Sequence, residues 1–181
     1  MTLGQCSPRG PRGPRGEGSI GMPITKSTRH QKIIGAFGEM LVCNWLSRSG
    51  FEVTLVDHTG IDIIAYKPRT GRLGITVKSR TRSRGEREAV NILANKKADR
   101  QKLLEACKAF GCKPWIAIYV EKQEAADLYL TSLKNYDAKY RGDGSKRIDD
   151  WKMTPAHVRR YKMDPHVKRI GIRFDVAHWW G

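Results

Sequence analysis

Apolar residues along this chain fall into runs of two periods, and the changes from one period to the other mark out its elements. Between positions 33 and 46, Ile33, Ile34, Phe37, Met40, Leu41, Trp45 and Leu46 recur at helical spacing. Ser27 or Thr28 stands where a cap belongs and Gly50 where a stop belongs, so the pattern predicts a helix ending near Arg48. Residues 51–56, 61–66 and 73–79 are short strand-like runs, and Pro68-Arg69-Thr70-Gly71 is a turn signal between the last two. Residues 96–110 return to helical periodicity and close at Gly111. Pro114 then opens a strand over 115–121, and 126–130 supplies another. Thr154-Pro155 predicts a short capped helix, and 170–176 a last edge strand. The order α-β-β-β-α-β-β predicts an α/β (α+β) domain with a mixed central β-sheet flanked by helices.

This pattern divides the chain into three parts. Residues 1–26, with the run Gly10-Pro11-Arg12-Gly13-Pro14-Arg15-Gly16, form a basic leader expected to be disordered, its repeats too few for a triple helix. Met22 as the physiological start is the alternative. Residues 27–131 form the core, and 132–181 an extension expected to pack on it. The charge balance then narrows the partner: 34 Lys and Arg against 18 Asp and Glu leave +16. Such a surplus predicts a polyanion, since each neutralised phosphate releases condensed counterions; a basic surface without a partner is the plain alternative. The longest apolar run, 115–120, is far short of a membrane span, and the first residues lack an apolar core segment, so no secretory signal is expected. Cys6, Cys43, Cys107 and Cys112 form neither a disulfide framework nor a zinc pattern, which fits reduced thiols and a cytoplasmic location. The five histidines lack metal-ligand spacing, and His58 reads as an ordinary loop residue near Asp62.

The candidate chemistry lies on the hairpin of the second and third strands. Alternation puts Asp62, Ile64 and Tyr66 on one face of their strand, and Thr76 and Lys78 on one face of theirs. A turn centred near Thr70 would set Asp62 opposite Lys78, as a site or as a simple cross-strand salt bridge. Glu39 has Gly35, Ala36, Val42 and Cys43 as its helical neighbours and no cation along the helix. A carboxylate set among apolar residues needs a cationic partner, either a metal ion or Lys78; a solvated rim position is the alternative.

Taken together, Phe37-Gly38-Glu39 on a helix, Gly60-Ile61-Asp62-Ile63-Ile64-Ala65 on a strand and Ile75-Thr76-Val77-Lys78-Ser79-Arg80 on the next resemble the PD-(D/E)XK nuclease core. More narrowly they resemble archaeal-type Holliday junction resolvases, and residues 102–118 resemble the helix and strand that follow in that group. The resemblance spans residues 31–121 and implies a restriction-endonuclease-like fold and an endonuclease acting on DNA, branched or structured DNA included. It implies that Asp62, Glu39 and the Val77 carbonyl hold Mg²⁺ (or Mn²⁺), and that Lys78 positions the attacking water and stabilises negative charge. A homodimer is part of the same expectation.

Thr76 departs from the pattern, standing where the family has Asp or Glu. Three outcomes follow: a site working on Glu39 and Asp62 alone, a carboxylate relocated to Glu86 or Glu88, or a catalytically impaired nucleic-acid-binding module on the same fold. Downstream, Lys78, Arg80, Arg82 and Arg84 alternate with hydroxyls, a ladder suited to a phosphate backbone, which Lys96, Lys97, Arg100 and Lys102 extend. A solvated loop is the competing reading. No zinc finger or helix-turn-helix points to base readout. Trp151, Tyr161, Trp179 and Trp180 suit either base stacking or, more readily, a small core or dimer contact. A basic protein bound to ribosomes is a third functional class.

Overall fold

The structure is a computed structural model and describes residues 24, 26–82, 89–91, 97–141 and 149–176. Helix α1 (His30–Arg48) is followed by strands β1 (Glu52–His58), β2 (Ile61–Lys67), β3 (Gly71–Thr81) and β4 (Ala89–Asn91). Then come α2 (Lys97–Ala109), β5 (Lys113–Glu121), β6 (Ala125–Ser132), α3 (Leu133–Lys139), β7 (Asp150–Lys152), α4 (Pro155–Met163) and β8 (Val167–Arg173). Six strands form one sheet in the order β1-β2-β3-β5-β6-β8, and β4 pairs with β7 apart from it. Every pairing in the large sheet is antiparallel except β3 with β5, the crossover that carries α2. The fold is therefore the mixed, helix-flanked sheet that the periodicity predicts, mostly antiparallel.

Helix α1 covers one face of the sheet. Ile34, Val42, Cys43 and Leu46 pack there with Ile63, Ile75 and Tyr119. Its other side stays open, with Ile33, Phe37 and Met40 about half exposed. Neither Ser27 nor Thr28 caps it; Arg29 holds the cap position, and the Ser27 carbonyl accepts the His30 N–H in a preceding turn. On the opposite face Leu103, Ala106 and Cys107 of α2 meet Ile61, Ile116 and Ile118.

That second core runs on into an aromatic group, Tyr129, Tyr136, Trp151 and Tyr161, with Trp151 stacked on Tyr161 at 3.9 Å. Trp151 and Tyr161 are thus core residues, and Trp179 and Trp180 lie outside the described residues. Asp164 fastens α4 and β8 to α3. Burial raises its carboxyl, but the Asn135 amide, Lys139, the His166 N–H and the Tyr140 hydroxyl outweigh burial and hold it well below the usual range.

The β2–β3 register corrects the expected one. Ile63 pairs with Ile75 and Lys67 with Gly71, a shift of two residues, so Asp62 lies level with Thr76 and not with Lys78. The turn is centred on Arg69, which adopts a left-handed φ of 70° that a residue bearing a Cβ rarely takes.

Gly38 sets how closely α1 approaches the sheet. A methyl placed there would overlap the Ser79 hydroxyl and touch the Tyr119 Cβ at 3.4 Å. Gly38→Ala is expected to cost about 1–2 kcal/mol from overpacking, despite the better helix propensity of alanine. Ser79→Ala should be neutral or stabilising, because the Ser79 hydroxyl is buried with no hydrogen-bond partner among the described residues. The double variant should recover most of the loss. Urea unfolding of the four proteins measures this coupling, and additive effects would contradict the contact.

Candidate metal and nucleic-acid site

The site begins where two strands part. Pairing between β2 and β3 stops at Ile63 and Ile75, whereas β3 stays paired with β5 as far as Thr81 and Glu121. Beyond the break, the Val77 N–H donates to Asp62 Oδ2 at 2.6 Å, and the Thr76 hydroxyl donates to the same oxygen at 3.1 Å. The half-buried carboxylate thus lies between the strands, in the place of a ladder carbonyl. Gly60 fixes the turn that delivers it. Its φ is 107°, and a Cβ there would lie 2.5 Å from the Lys102 carbonyl oxygen of α2.

Glu39 and Lys78 reach the same place from different elements. Gly38 faces the sheet, so the next residue emerges half-buried at its margin. Burial raises the Glu39 carboxyl above the usual carboxylate range, the charge of Asp62 raises it further, and Lys78 opposes both. Asp62 and Lys78 therefore both lie within the electrostatic reach of Glu39. Lys78 is not an ion-pair partner of Asp62 among the described residues; Asp62 is held by Thr76 and Val77.

The donors available are oxygens: two carboxylates and the Val77 carbonyl, which leaves its strand on the same edge as the N–H bound to Asp62. Oxygen donors fit a hard divalent cation, and Glu39 carries charge that its surroundings do not fully compensate. Among the described residues no group of three His, Cys, Asp or Glu side chains forms a metal cluster, so the set is sparse. The Thr76 hydroxyl is spent as a donor to Asp62.

The basic stretch is partly placed. Lys78 and Arg80 are half-buried on β3, where an Arg80 nitrogen donates to the Ser79 carbonyl at 3.1 Å. The Arg82 N–H continues the register with the Glu121 carbonyl. Arg84, Glu86, Glu88 and Lys96 lie outside the described residues, and Lys97 is described only as the start of α2. Arg100 does not extend the ladder, because ion pairs to Asp149 and Asp137 hold it. His58 packs edge-on against Phe110, the ring centroids 5.3 Å apart.

One group escapes sequence reasoning. His30 lies 2.6 Å from the Thr81 hydroxyl and 4.0 Å from Glu121, which accepts from the Tyr119 hydroxyl at 3.3 Å. These residues come from three elements with no common spacing, so only the parallel β3–β5 register could have joined them.

No family model and no curated protein matches the sequence. Among solved structures the fold is similar to Hjc of Archaeoglobus fulgidus, described as a Holliday junction resolvase from an archaeal hyperthermophile. The two share 17% identity, with 65% of this chain and 83% of that chain covered and a TM-score of 0.47. A likeness of that degree decides nothing about activity.

Because the raised Glu39 carboxyl takes up its proton more readily in the folded chain, stability falls as pH rises from the ordinary carboxylate value through the raised one, and stays lower above it. Glu39→Gln is therefore expected to raise Tm at neutral pH without metal, and to abolish any rise in Tm produced by Mg²⁺ or Mn²⁺. Thermal melts of both proteins with and without these ions test both halves.

Proposed function

We propose that this protein is a metal-dependent endonuclease that hydrolyses phosphodiester bonds in DNA, branched or structured DNA included. The observation that carries the reading is the Asp62 carboxylate, held between parted strands by the Val77 N–H, with Glu39 and Lys78 acting at the same place. Asp62, Glu39 and the Val77 carbonyl would hold Mg²⁺ or Mn²⁺. When bound, such an ion lowers the pKa of a coordinated water and neutralises charge on the phosphate. Lys78 orients the attacking water and offsets the negative charge that develops at phosphorus. Arg80 and Arg82, with Arg84, Lys96 and Lys97, track the phosphate backbone without reading bases. The Thr76 hydroxyl keeps Asp62 in place and supplies no third charge.

The protein acts as a homodimer in this reading. A cytoplasmic compartment suits its thiols; Cys43, Cys107 and Cys112 are unbridged, and no described helix is long and apolar enough to cross a membrane.

The second reading, a catalytically impaired nucleic-acid-binding module, draws on Thr76 alone. The two separate cleanly on linear, nicked and four-way DNA incubated with and without Mg²⁺ or Mn²⁺. Metal-dependent cleavage is expected, with Asp62→Ala and Lys78→Ala each reducing it by about 100-fold or more while salt-sensitive binding survives. If both variants cut as well as the parent, the site is misassigned. Thr76→Asp should lower the metal concentration needed for half-maximal cleavage. Salt-sensitive binding by a parent that never cuts, with cleavage gained in Thr76→Asp, would establish the second reading instead.

A further inference from the structure

Helix α1 packs over β1, β2 and β3 and barely reaches β5, so it leaves the rest of that sheet face without a helix. Strands β6 and β8 present Leu128, Leu130 and Ile170 there. Together with Val42, Trp45 and Leu46 of α1 they line a groove of about 930 Å³. Its far wall is the α4–β8 link, where Met163 is 84% exposed. The groove borders Thr70, at the hairpin end of β2 and β3, so it sits at the end of the sheet opposite Asp62.

Cations ring this groove. Lys67 binds the Ser49 carbonyl at 2.7 Å, Lys113 the Thr70 carbonyl at 2.8 Å and Lys168 the Pro165 carbonyl at 3.0 Å. The Arg48 guanidinium lies over the Trp45 ring at 4.7 Å, and Lys162 lines the wall. The acid of the lining, Asp164, is spent on Asn135, Lys139, Tyr140 and the His166 N–H. An apolar floor inside a ring of cations on several separate elements suits a ligand with apolar anchors and several carboxylates. A single-headed amphiphile would meet one or two of these cations. A nucleic acid would leave the aliphatic floor unmatched.

We propose that this groove docks an acidic peptide segment of a partner protein, its apolar anchors seated on Leu128, Leu130 and Ile170 and its carboxylates facing the surrounding lysines. The proposal is independent of the nuclease reading, since it uses none of the residues of that site.

Fluorescence anisotropy with a fluorescein-labelled peptide rich in Asp and Glu and carrying a pair of Phe anchors tests it. Saturable binding is expected, weakened about fivefold or more by the double variant Lys162→Glu/Lys168→Glu and by Met163→Asp. These exposed substitutions should leave Tm and DNA binding unchanged. Replacing the Phe anchors of the probe by Asn should also weaken it. Equal binding by the parent and both variants overturns the proposal, as does displacement of the probe by four-way DNA, which would place it on the nucleic-acid surface. Groove-dependent binding of dodecanoate with no groove-dependent binding of the peptide would assign the groove to an amphiphile and overturn the proposal equally.

Discussion

A single backbone N–H organises the site. Where β2 leaves β3, Val77 loses its ladder partner at a position that is almost fully buried, and an unpaired N–H there would cost as much as a lost hydrogen bond. Asp62 answers that need with a carboxylate. The bond fixes that carboxylate, and with it the charge felt by Glu39, at one point inside the edge of the sheet. The Thr76 hydroxyl adds to the same oxygen, Oδ2, and both donors pull the carboxylate into one orientation. Everything else attributed to the site, from the raised Glu39 carboxyl to the influence of Lys78, depends on that charge being there.

Close contacts made possible by glycine bring the other elements to it. Gly38 seats α1 against Ser79 and Tyr119, and so sets where Glu39 emerges. Gly60 lets the backbone of α2 lie against the turn before Asp62. Gly74 does the same for Cys107 and Cys112, whose Sγ and Cβ would lie 2.7 and 3.1 Å from an added methyl. A mid-helix glycine such as Gly38 costs stability relative to alanine. At this position the cost is offset by an approach that no larger residue permits. The half-buried, charge-burdened Glu39 is a second local loss.

Much of this was legible in the sequence, and the failures have identifiable causes. Alternation in the run 61–66 and the helical spacing around Glu39 fixed both elements, because one buried face leaves a strong periodic signal. The hairpin register was not readable. It turns on Arg69 taking a left-handed backbone, which no composition rule anticipates, and a shift of two residues keeps each side chain on its face while changing its partner. That shift replaced an Asp62–Lys78 pairing with an Asp62–Thr76 one. The cap of α1 was misread because a backbone carbonyl can do the work of a hydroxyl. Arg100 reads as part of a basic ladder until the fold brings Asp137 and Asp149, from far along the chain, against it. Helix α3, only seven residues long, is too short to show a period.

Thr76 bears most directly on how such a site could work. A carboxylate at that position would add a third negative charge beside Asp62 and Glu39, tightening a divalent ion in the absence of substrate. The hydroxyl adds none, and its proton is directed at Asp62. In the proposed reading an oxygen ligand is then missing, and a phosphate of the substrate is the oxygen that arrives with the reaction. The +16 surplus of the chain, with Lys78 and Arg80 along the strand that leaves the site, would draw phosphate to that point in the same reading. In the same reading, weak metal affinity in the free protein and strong attraction for a polyanion would be two consequences of one charge distribution. In that reading the site would complete its coordination only with a phosphate of the substrate in place.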